Sequence, residues 1–511
     1  MRPDAPKPIG GRVKADAAGV GRVASRGAAF TVASQVAKVG LTFVTTVVVA
    51  RLLSAEQYGV VAMVAPITGF LVLFQNLGLG QAALQSRELT SEQSNAMFWL
   101  NMMASFLVAL LMLALSPGVW WFYGDPRPAY VMAASGITVI LSGLQLQHIA
   151  LLNRDMRFGA ISRNEILAAV VSAGATIALA FALQSYWALW GGAAIGAVIS
   201  TGAIWLSSDW RPRWGFSLRG TRRLVAIGAD VTGFNVVNFF ARNADNVLIA
   251  RVWGSEAVGL YDRSYKLMLL PLQNFNWPLG RVVVPSLLRL RDDPARYRIA
   301  FLRIIRAISL ATVPGVAAAA IASREVIVVL LGENWEAAGP IFFWLSLAGV
   351  TQPMTSALGW LFLTSDRSRA MLYWGVFGST VTLLSFFLGI EGGAAGVARA
   401  YFIGQAILIP PLVLFCTRST PVSASSLYAV MLPTPLAGIA AWALIERWRG
   451  ELASIPFLVL AVVTCYAFAV VAHSATREGR ATLATMLRHG LSVLPRRRQE
   501  SVRRNGAQAR E

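Results

Sequence analysis

Polar and charged residues interrupt an apolar stretch in the middle of the chain, in the sequence NFFARNADNVLIARVWG (238–254). At 3.6 residues per helical turn, Asn238, Arg242 and Asn246 fall on one face of a helix, with Asp245 beside them. A charged side chain at the centre of a membrane helix costs about 2.5–3.5 kcal/mol on insertion scales, so it turns toward protein or water. The pattern therefore predicts a helix face that binds a charged or hydrophilic ligand within a membrane.

A structural alternative is that Arg242 and Asp245, three residues apart, neutralise one another. Against this alternative, the predicted polar surface also includes Lys38, Lys266 and Arg281, so that basic groups outnumber acidic ones. A surplus of positive charge in a membrane chamber favours an anionic ligand. If transport is coupled to an ion, Asp245 is the mid-span acid that we expect to carry a proton or sodium.

The composition places these residues in a membrane. Of 511 residues, 56% are hydrophobic and only 14% are charged, and a soluble domain of this size could not cover so much apolar surface. Windows of about 20 apolar residues, enough to cross about 30 Å of hydrocarbon, predict an all-α polytopic membrane protein with about 14 transmembrane helices. The net charge of +20 comes mainly from arginines dispersed between apolar runs, which favours membrane lipids over nucleic acid as a partner. Cys416 and Cys465 lie in apolar runs and indicate neither a disulfide nor a metal site.

The arginines also predict the orientation of the chain. If both termini are cytoplasmic, the inner segments hold most of the arginines and the outer connections hold few, as the positive-inside rule requires. The longest predicted outer connection is residues 322–339, which leaves no extracytoplasmic domain. We therefore predict a multi-pass protein of the cytoplasmic (inner) membrane of a bacterium.

An internal repeat appears when the chain is compared with itself. ARLLSAEQYG (50–59) aligns with ARVWGSEAVG (250–259) at a shift of 200 residues, and FYGDPRPA (122–129) resembles LLGENWEA (330–337) at a shift of 208. The shared register favours a duplication. Because each half supplies six helices, both halves enter the membrane in the same orientation, which predicts two lobes related by a pseudo-twofold axis along the membrane normal.

The repeat divides the chain into six predicted parts. They are a basic cytoplasmic N-terminal tail (1–27), a first lobe of helices 1–6 (28–207), a cytoplasmic linker (208–225), a second lobe of helices 7–12 (226–416), two accessory helices (427–472) and a basic cytoplasmic tail (473–511).

The same shift places a matching polar stripe on the first helix. Gln35, Lys38 and Thr42 fall at positions equivalent to the polar stripe of residues 235–246, so two duplicated helices each have a polar face. This predicts a hydrated chamber between the lobes. The predicted cavity residues are Gln35, Lys38, Thr42, Asn238, Arg242, Asp245, Asn246, Lys266 and Arg281.

Other charges are predicted to belong to helix ends or to the membrane interface. Arg51 and Arg251 are related by the repeat and mark the end of a helix in each half. Glu165 lies close to Arg163 in the sequence, which suggests an interfacial ion pair between them.

Several segments resemble bacterial polysaccharide transporters of the Wzx type, within the multidrug/oligosaccharidyl-lipid/polysaccharide exporter superfamily. The segments are ARLLSAEQYGVVAM (50–63), FQNLGLGQAALQSRELT (74–90), VLLGENWEAAGP (329–340) and RNADNVLIARVWGSEAVGLYDRSYKLMLLPLQNFNWPLGRVVVPSLLRLRDD (242–293). The resemblance implies two six-helix lobes with accessory helices 13 and 14. It also implies that the protein moves an undecaprenyl-pyrophosphate-linked oligosaccharide to the periplasmic leaflet for exopolysaccharide or lipopolysaccharide synthesis. Family members are thought to use a cationic central cavity, for which Lys38, Arg242, Lys266 and Arg281 are the candidates here.

Two other functions stay open at this point. A cation-coupled multidrug exporter of the same superfamily would favour an acidic and aromatic cavity, whereas a membrane O-antigen polymerase or ligase would need a large outer loop. Motifs for phosphate-binding loops, zinc hydrolases and nucleophile elbows are missing from the sequence. We therefore predict a monomeric transporter without cofactor or metal, not an enzyme. Its predicted partners are a lipid-linked oligosaccharide, membrane lipids and the polymerase and export machinery of a polysaccharide.

Overall fold

The protein folds into α-helices with short 3-10 turns, as the apolar periodicity predicts. The computed structural model describes residues 17–76, 90–214, 222–271 and 277–493. The chain forms two compact units, residues 1–262 (the first unit) and 263–511 (the second unit). The predicted lobe boundaries at 28–207 and 226–416 stay a prediction.

The described residues of the first unit form six helices and most of a seventh. They are α1 (Ala17–Leu52), α2 (Ala55–Asn76), α3 (Ser91–Tyr123), α4 (Pro126–Arg154), α5 (Phe158–Leu183), α6 (Trp187–Ser207) and α7 (Arg222–Pro271), of which α7 continues into the second unit.

The second unit continues with ten further helices. They are α8 (Trp277–Leu288), α9 (Pro294–Ile321), α10 (Ser323–Leu331), α11 (Gly339–Thr364), α12 (Ser368–Gly389), α13 (Gly393–Thr417), α14 (Ala424–Met431), α15 (Pro433–Ile445), α16 (Ser454–Ser474) and α17 (Arg477–Val493).

Eleven helical stretches of the described residues are long and apolar enough to cross a membrane. One of them, Ser368–Thr417, is 50 residues long and contains both α12 and α13. Large apolar side chains stay exposed on these helices, for example Trp121 at 85% and Leu388 at 84%. Such surfaces are unfavourable in water but suit the hydrocarbon of a bilayer, which confirms the predicted polytopic membrane protein.

A buried polar contact joins three helices in the core of the first unit. The Gln75 side-chain amide of α2 donates to Ser105 Oγ of α3 at 2.9 Å. It also donates to the Val139 carbonyl at 2.8 Å and to Ser142 Oγ at 2.7 Å, both on α4. An amide buried in an apolar core is costly unless it is hydrogen-bonded, so these contacts fix α2 against α3 and α4.

Helix α7 is a hairpin of two helical segments that meet at Gly254. Gly254 has φ +80° and ψ −169°, a conformation that glycine adopts without a steric penalty. The second segment returns along the first, because the Tyr261 hydroxyl donates to Asp245 at 3.0 Å although the residues are 16 apart. In the repeat-related segment, Ser54 lies between α1 and α2 and accepts a hydrogen bond from the amide of Gln57 at 3.4 Å.

The repeat-related segments 50–59 and 250–259 contact each other reciprocally within the first unit. A Cβ atom added to Gly59 would lie 1.6 Å from the Ser255 carbonyl oxygen, and one added to Gly259 would lie 1.9 Å from the Ala55 carbonyl oxygen. Ser255 occupies the repeat position of Ala55, and Gly259 that of Gly59. This reciprocal glycine contact has the self-complementary form that a local twofold axis produces, which favours the predicted duplication.

The second aligned pair of segments also shares a backbone feature. Gly124 follows α3 with φ +71°, and Gly332 follows α10 with φ +102°. Residues 322–339, predicted as an outer connection, fold into α10 and a 3-10 helix, Glu333–Ala338, and Trp335 at their centre is fully buried. This predicted connection is therefore helical, and its apolar residues pack into the second unit.

We expect Gly59→Ala to destabilise the first unit, because the added methyl group would overlap the Ser255 carbonyl oxygen. Overpacking of this kind costs about 1–3 kcal/mol and sometimes more. The measurement is the midpoint of thermal unfolding of the purified protein in detergent. Gly118→Ala in α3 is the matched control, because nothing lies within 4 Å of an added Cβ there. Equal midpoints for the two variants would contradict the reciprocal glycine contact.

Candidate functional site

The described side chains of the predicted stripe on α1 lie on an open face of the helix. Gln35 and Thr42 are exposed, and Lys38 between them is half-buried. The side chains of Asn238, Arg242 and Arg281 lie outside the described residues. Among the predicted cations of the first unit, Lys38 is therefore the one whose side chain and contacts the structure describes.

Lys38 forms an ion pair with Glu165 of α5. Its Nζ lies 2.5 Å from Oε2 of Glu165, and the two side chains are 27% and 46% exposed. The predicted pairing of Glu165 with Arg163 is wrong. Residues two apart on a helix point to different faces, so this spacing could have signalled that Glu165 needs a partner on another helix.

The ion pair lies at the same depth on both helices. Lys38 is 14 residues before the end of α1 at Leu52, or about 21 Å along the helix at 1.5 Å per residue. Glu165 is 7 residues after the start of α5 at Phe158, or about 10 Å along it. Measured along the two helices, the pair therefore lies nearer to the start of α5 than to the end of α1.

Both side chains of the pair are only partly buried. Their separation is therefore less costly than that of a fully buried ion pair, which would leave an uncompensated charge inside the protein.

Asp245 is packed inside the α7 hairpin. It is 4% exposed, and its carboxylate accepts the Tyr261 hydroxyl at 3.0 Å and the amide of Asn246 at 2.9 Å. The Asn246 side chain reaches Asp262, which is also buried, at 3.5 Å. The structure therefore places Asp245, predicted to line the cavity, in a hydrogen-bonded contact between the two segments of α7. Its role as an ion carrier stays a prediction.

The repeat-related arginines lie near the ends of helical segments. Arg51 is in the last turn of α1, and Arg251 lies three residues before the break at Gly254. The guanidinium of Arg251 lies 5.5 Å from the centre of the Phe122 ring, within the range of a cation–π contact. Lys266, on the second segment of α7, is exposed.

Comparison with solved structures defines the class of fold. The chain resembles a lipid II flippase, MurJ, in an inward closed conformation, with a TM-score of 0.69 and 13% identity over 87% of this chain and 99% of that one. It also resembles an inward-facing multidrug resistance transporter of the MATE family, with a TM-score of 0.58 and 13% identity over 76% of this chain and 95% of that one. The fold is thus the one that this chain shares with MurJ and with the MATE transporter.

The sequence then assigns the family. A profile of the polysaccharide biosynthesis protein family matches residues 48–340, more than half of the chain, and the protein belongs to this family. It is 26% identical to the teichuronic acid biosynthesis protein TuaB of Bacillus subtilis, over 64% of this chain and 68% of the relative. It is 21% identical to the lipopolysaccharide biosynthesis protein WzxC of Escherichia coli, over 78% and 82%. It is 24% identical to the succinoglycan biosynthesis transport protein ExoT of Rhizobium meliloti, over 69% and 71%. The resemblance drawn from the sequence is confirmed.

We expect Lys38→Gln alone to destabilise the protein more than the double variant Lys38→Gln with Glu165→Gln. The single change leaves the Glu165 carboxylate without its partner, whereas the double change leaves two neutral amides that can bond to each other. Because both side chains are partly exposed, the expected difference is about 1 kcal/mol or less. Thermal unfolding of both variants measures it, and a double variant less stable than the single one would contradict the pairing.

We also expect Tyr261→Phe to lower the stability of the α7 hairpin by about 1.5–3 kcal/mol, the usual contribution of a hydrogen bond to a charged group. The unfolding midpoint in detergent measures this loss. Tyr130→Phe is the control, since Tyr130 is 56% exposed and its change removes the same atom from a surface position. A loss of the same size in both variants would mean that the Asp245 contact contributes nothing specific.

Proposed function

We propose that the protein is a flippase that moves a lipid-linked oligosaccharide across the cytoplasmic membrane of a bacterium. The observation that carries the proposal is the family match over residues 48–340 in a chain whose described residues include eleven apolar stretches of membrane length. The names of TuaB, WzxC and ExoT describe polysaccharide biosynthesis or its transport, and the MurJ structure is a lipid flippase. These comparisons support a transporter and not an enzyme.

The substrate that this function implies is an oligosaccharide on an undecaprenyl pyrophosphate carrier. A pyrophosphate and its sugars cannot enter hydrocarbon without their hydrogen bonds being replaced, so the head group needs a polar path through the protein. The lipid tail, in contrast, can stay in the bilayer. The cytoplasmic side, where both termini are proposed to lie, is the negative side of the membrane. This potential favours outward movement of the anion by about 2.3 kcal/mol per charge per 100 mV.

Lys38 is the described cation best placed for the pyrophosphate. In the resting protein it is neutralised by Glu165, which lowers the cost of holding a charge at membrane depth. An arriving phosphate oxygen would replace the Glu165 carboxylate on Lys38, and the carboxylate would return when the substrate leaves. This exchange explains why a transporter for an anion would keep an acid beside its cation.

Alternating access supplies the movement. The reciprocal glycine contact brings backbone atoms of α2 and of the second segment of α7 together at Gly59 and Gly259. Packed helices can slide past one another in small shear movements. We propose that this contact opens when the head group passes to the predicted outer side, and that Arg51 and Arg251 lie beside that opening.

A multidrug exporter is the alternative that the fold allows, since the MATE transporter shares it. A cationic drug would be repelled by Lys38 once Glu165 is displaced, whereas a pyrophosphate would be attracted. The names of the relatives also favour the polysaccharide substrate. The flippase is therefore the stronger proposal.

We expect Lys38→Gln with Glu165→Gln to abolish polysaccharide export while the protein stays inserted at normal abundance. The neutral pair keeps the helix contact but removes the cation, which separates a binding role from a structural one. The measurement is the accumulation of lipid-linked repeat units on the cytoplasmic leaflet of a deletion strain carrying the variant. Arg242→Ala is expected to behave in the same way.

Arg163→Gln is the matched control, because Arg163 is an exposed cation on the helix of Glu165. It should leave export unchanged. Full export by the neutral pair would refute the role of Lys38, and a deletion strain with unchanged export and unchanged sidedness would refute the flippase proposal as a whole.

A further inference from the structure

A basic cavity lies in the second unit, between α9, α14 and α17. Its volume is about 650 Å³, within the range of small-ligand sites. Its polar lining is Arg298, Arg303 and Arg306 of α9, Ser426 of α14, and Arg477 and Glu478 of α17. Two of its three walls, α14 and α17, lie beyond residues 48–340, whereas α9 lies within them, and neither Lys38 nor Glu165 lines the cavity.

The charge of the basic cavity is unbalanced. Four arginines line it with a single carboxylate, Glu478, which pairs with the buried guanidinium of Arg306 at 2.7 Å. Arg298, Arg303 and Arg477 are exposed and make no ion pair with any residue that the structure describes. Three guanidinium groups around one opening repel one another, and a bound anion would relieve this repulsion.

Guanidinium groups favour a phosphate in particular. Their planar fork donates two parallel hydrogen bonds to phosphate oxygens, and Ser426 adds a hydroxyl donor to the same lining. Apolar side chains also line the cavity beside the arginines, Ile299 and Leu302 on α9 and Val430 on α14. A lining that combines cationic and apolar side chains matches an amphiphile that carries a phosphate.

The position of α17 indicates a lipid as the source of that phosphate. The helix follows directly after α16, which is long and apolar enough to cross the membrane. Its sequence places Leu483 and Met486 on one stripe and Arg477 and Arg488 on another, the pattern of a helix that lies in the membrane interface. The start of α17 therefore lies at the level of the lipid head groups, on the side predicted to be cytoplasmic.

We infer that the basic cavity binds the phosphate of an anionic phospholipid head group, with Arg298, Arg303 and Arg477 as its ligands. Arg306 is the buried arginine of the cavity, and its ion pair with Glu478 holds its guanidinium in place. A lipid bound there contacts α9 and α17 at once, so it fixes the terminal helix against the bundle. Binding to the folded state alone also stabilises it, in proportion to the logarithm of the lipid concentration over its dissociation constant.

The test is native mass spectrometry of the full-length protein in neutral detergent with phosphatidylglycerol, and in parallel with phosphatidylcholine. We expect retained phosphatidylglycerol, little retained phosphatidylcholine, and at least a tenfold weaker retention of phosphatidylglycerol in the double variant Arg303→Gln with Arg477→Gln. The control is Arg296→Gln with Arg480→Gln, which removes the same charge from the same two helices at residues that do not line the cavity. The control is expected to retain phosphatidylglycerol as the wild type does.

Equal losses of phosphatidylglycerol retention in the two double variants would show that arginines attract the lipid wherever they lie on these helices. That result would overturn the proposed site. If the protein retains no phosphatidylglycerol but binds inorganic pyrophosphate at millimolar concentration, the lipid is overturned as the source of the phosphate. Retention that depends on the cavity arginines and resists pyrophosphate supports the inference. The readout is lipid binding, so it is independent of whether the protein exports a polysaccharide.

Discussion

A charge or hydrogen-bonding group among apolar helices must find its partner within the protein, and this constraint organises the first unit. Lys38 meets Glu165 on another helix, Asp245 meets the hydroxyl of Tyr261, and the Gln75 amide meets oxygens from two neighbouring helices. The first and third of these contacts join separate helices, and the second joins the two segments of the α7 hairpin. The need to satisfy polar groups therefore also selects which helices pack together, whereas the apolar side chains alone would allow many arrangements in lipid.

The duplicated segments give the clearest link from sequence to structure. Residues 50–59 and 250–259 align without a gap, and the structure brings the two segments into reciprocal contact through their glycines. The sequence could predict the repeat because each glycine lies four residues after the carbonyl that contacts the other glycine, and a Cβ added at either position would overlap the partner backbone. The helical class and membrane location could be predicted for a related reason, since both follow from the length and composition of the apolar runs.

Side-chain partners could not be predicted in the same way. Proximity in sequence predicts Arg163 as the partner of Glu165. The partner in the structure is Lys38, which lies 127 residues away. Only the packing of α1 on α5 brings Lys38 and Glu165 together. Asp245 occupies a polar stripe, but the stripe does not reveal that the hairpin at Gly254 returns Tyr261 to its carboxylate. Periodicity shows which residues share a face and leaves open what covers that face.

The two cationic sites differ in a way that suits different tasks. Lys38 is a compact charge on a flexible stem, half-buried beside a carboxylate that can be exchanged for a ligand. The basic cavity instead presents several planar guanidinium groups, one of which is buried and held by Glu478. A transported head group must be released at the end of each cycle, so a single exchangeable lysine suits its path. A structural lipid is better held by several arginines at once, because each further hydrogen bond slows its departure, and such a site belongs on helices outside the repeated segments.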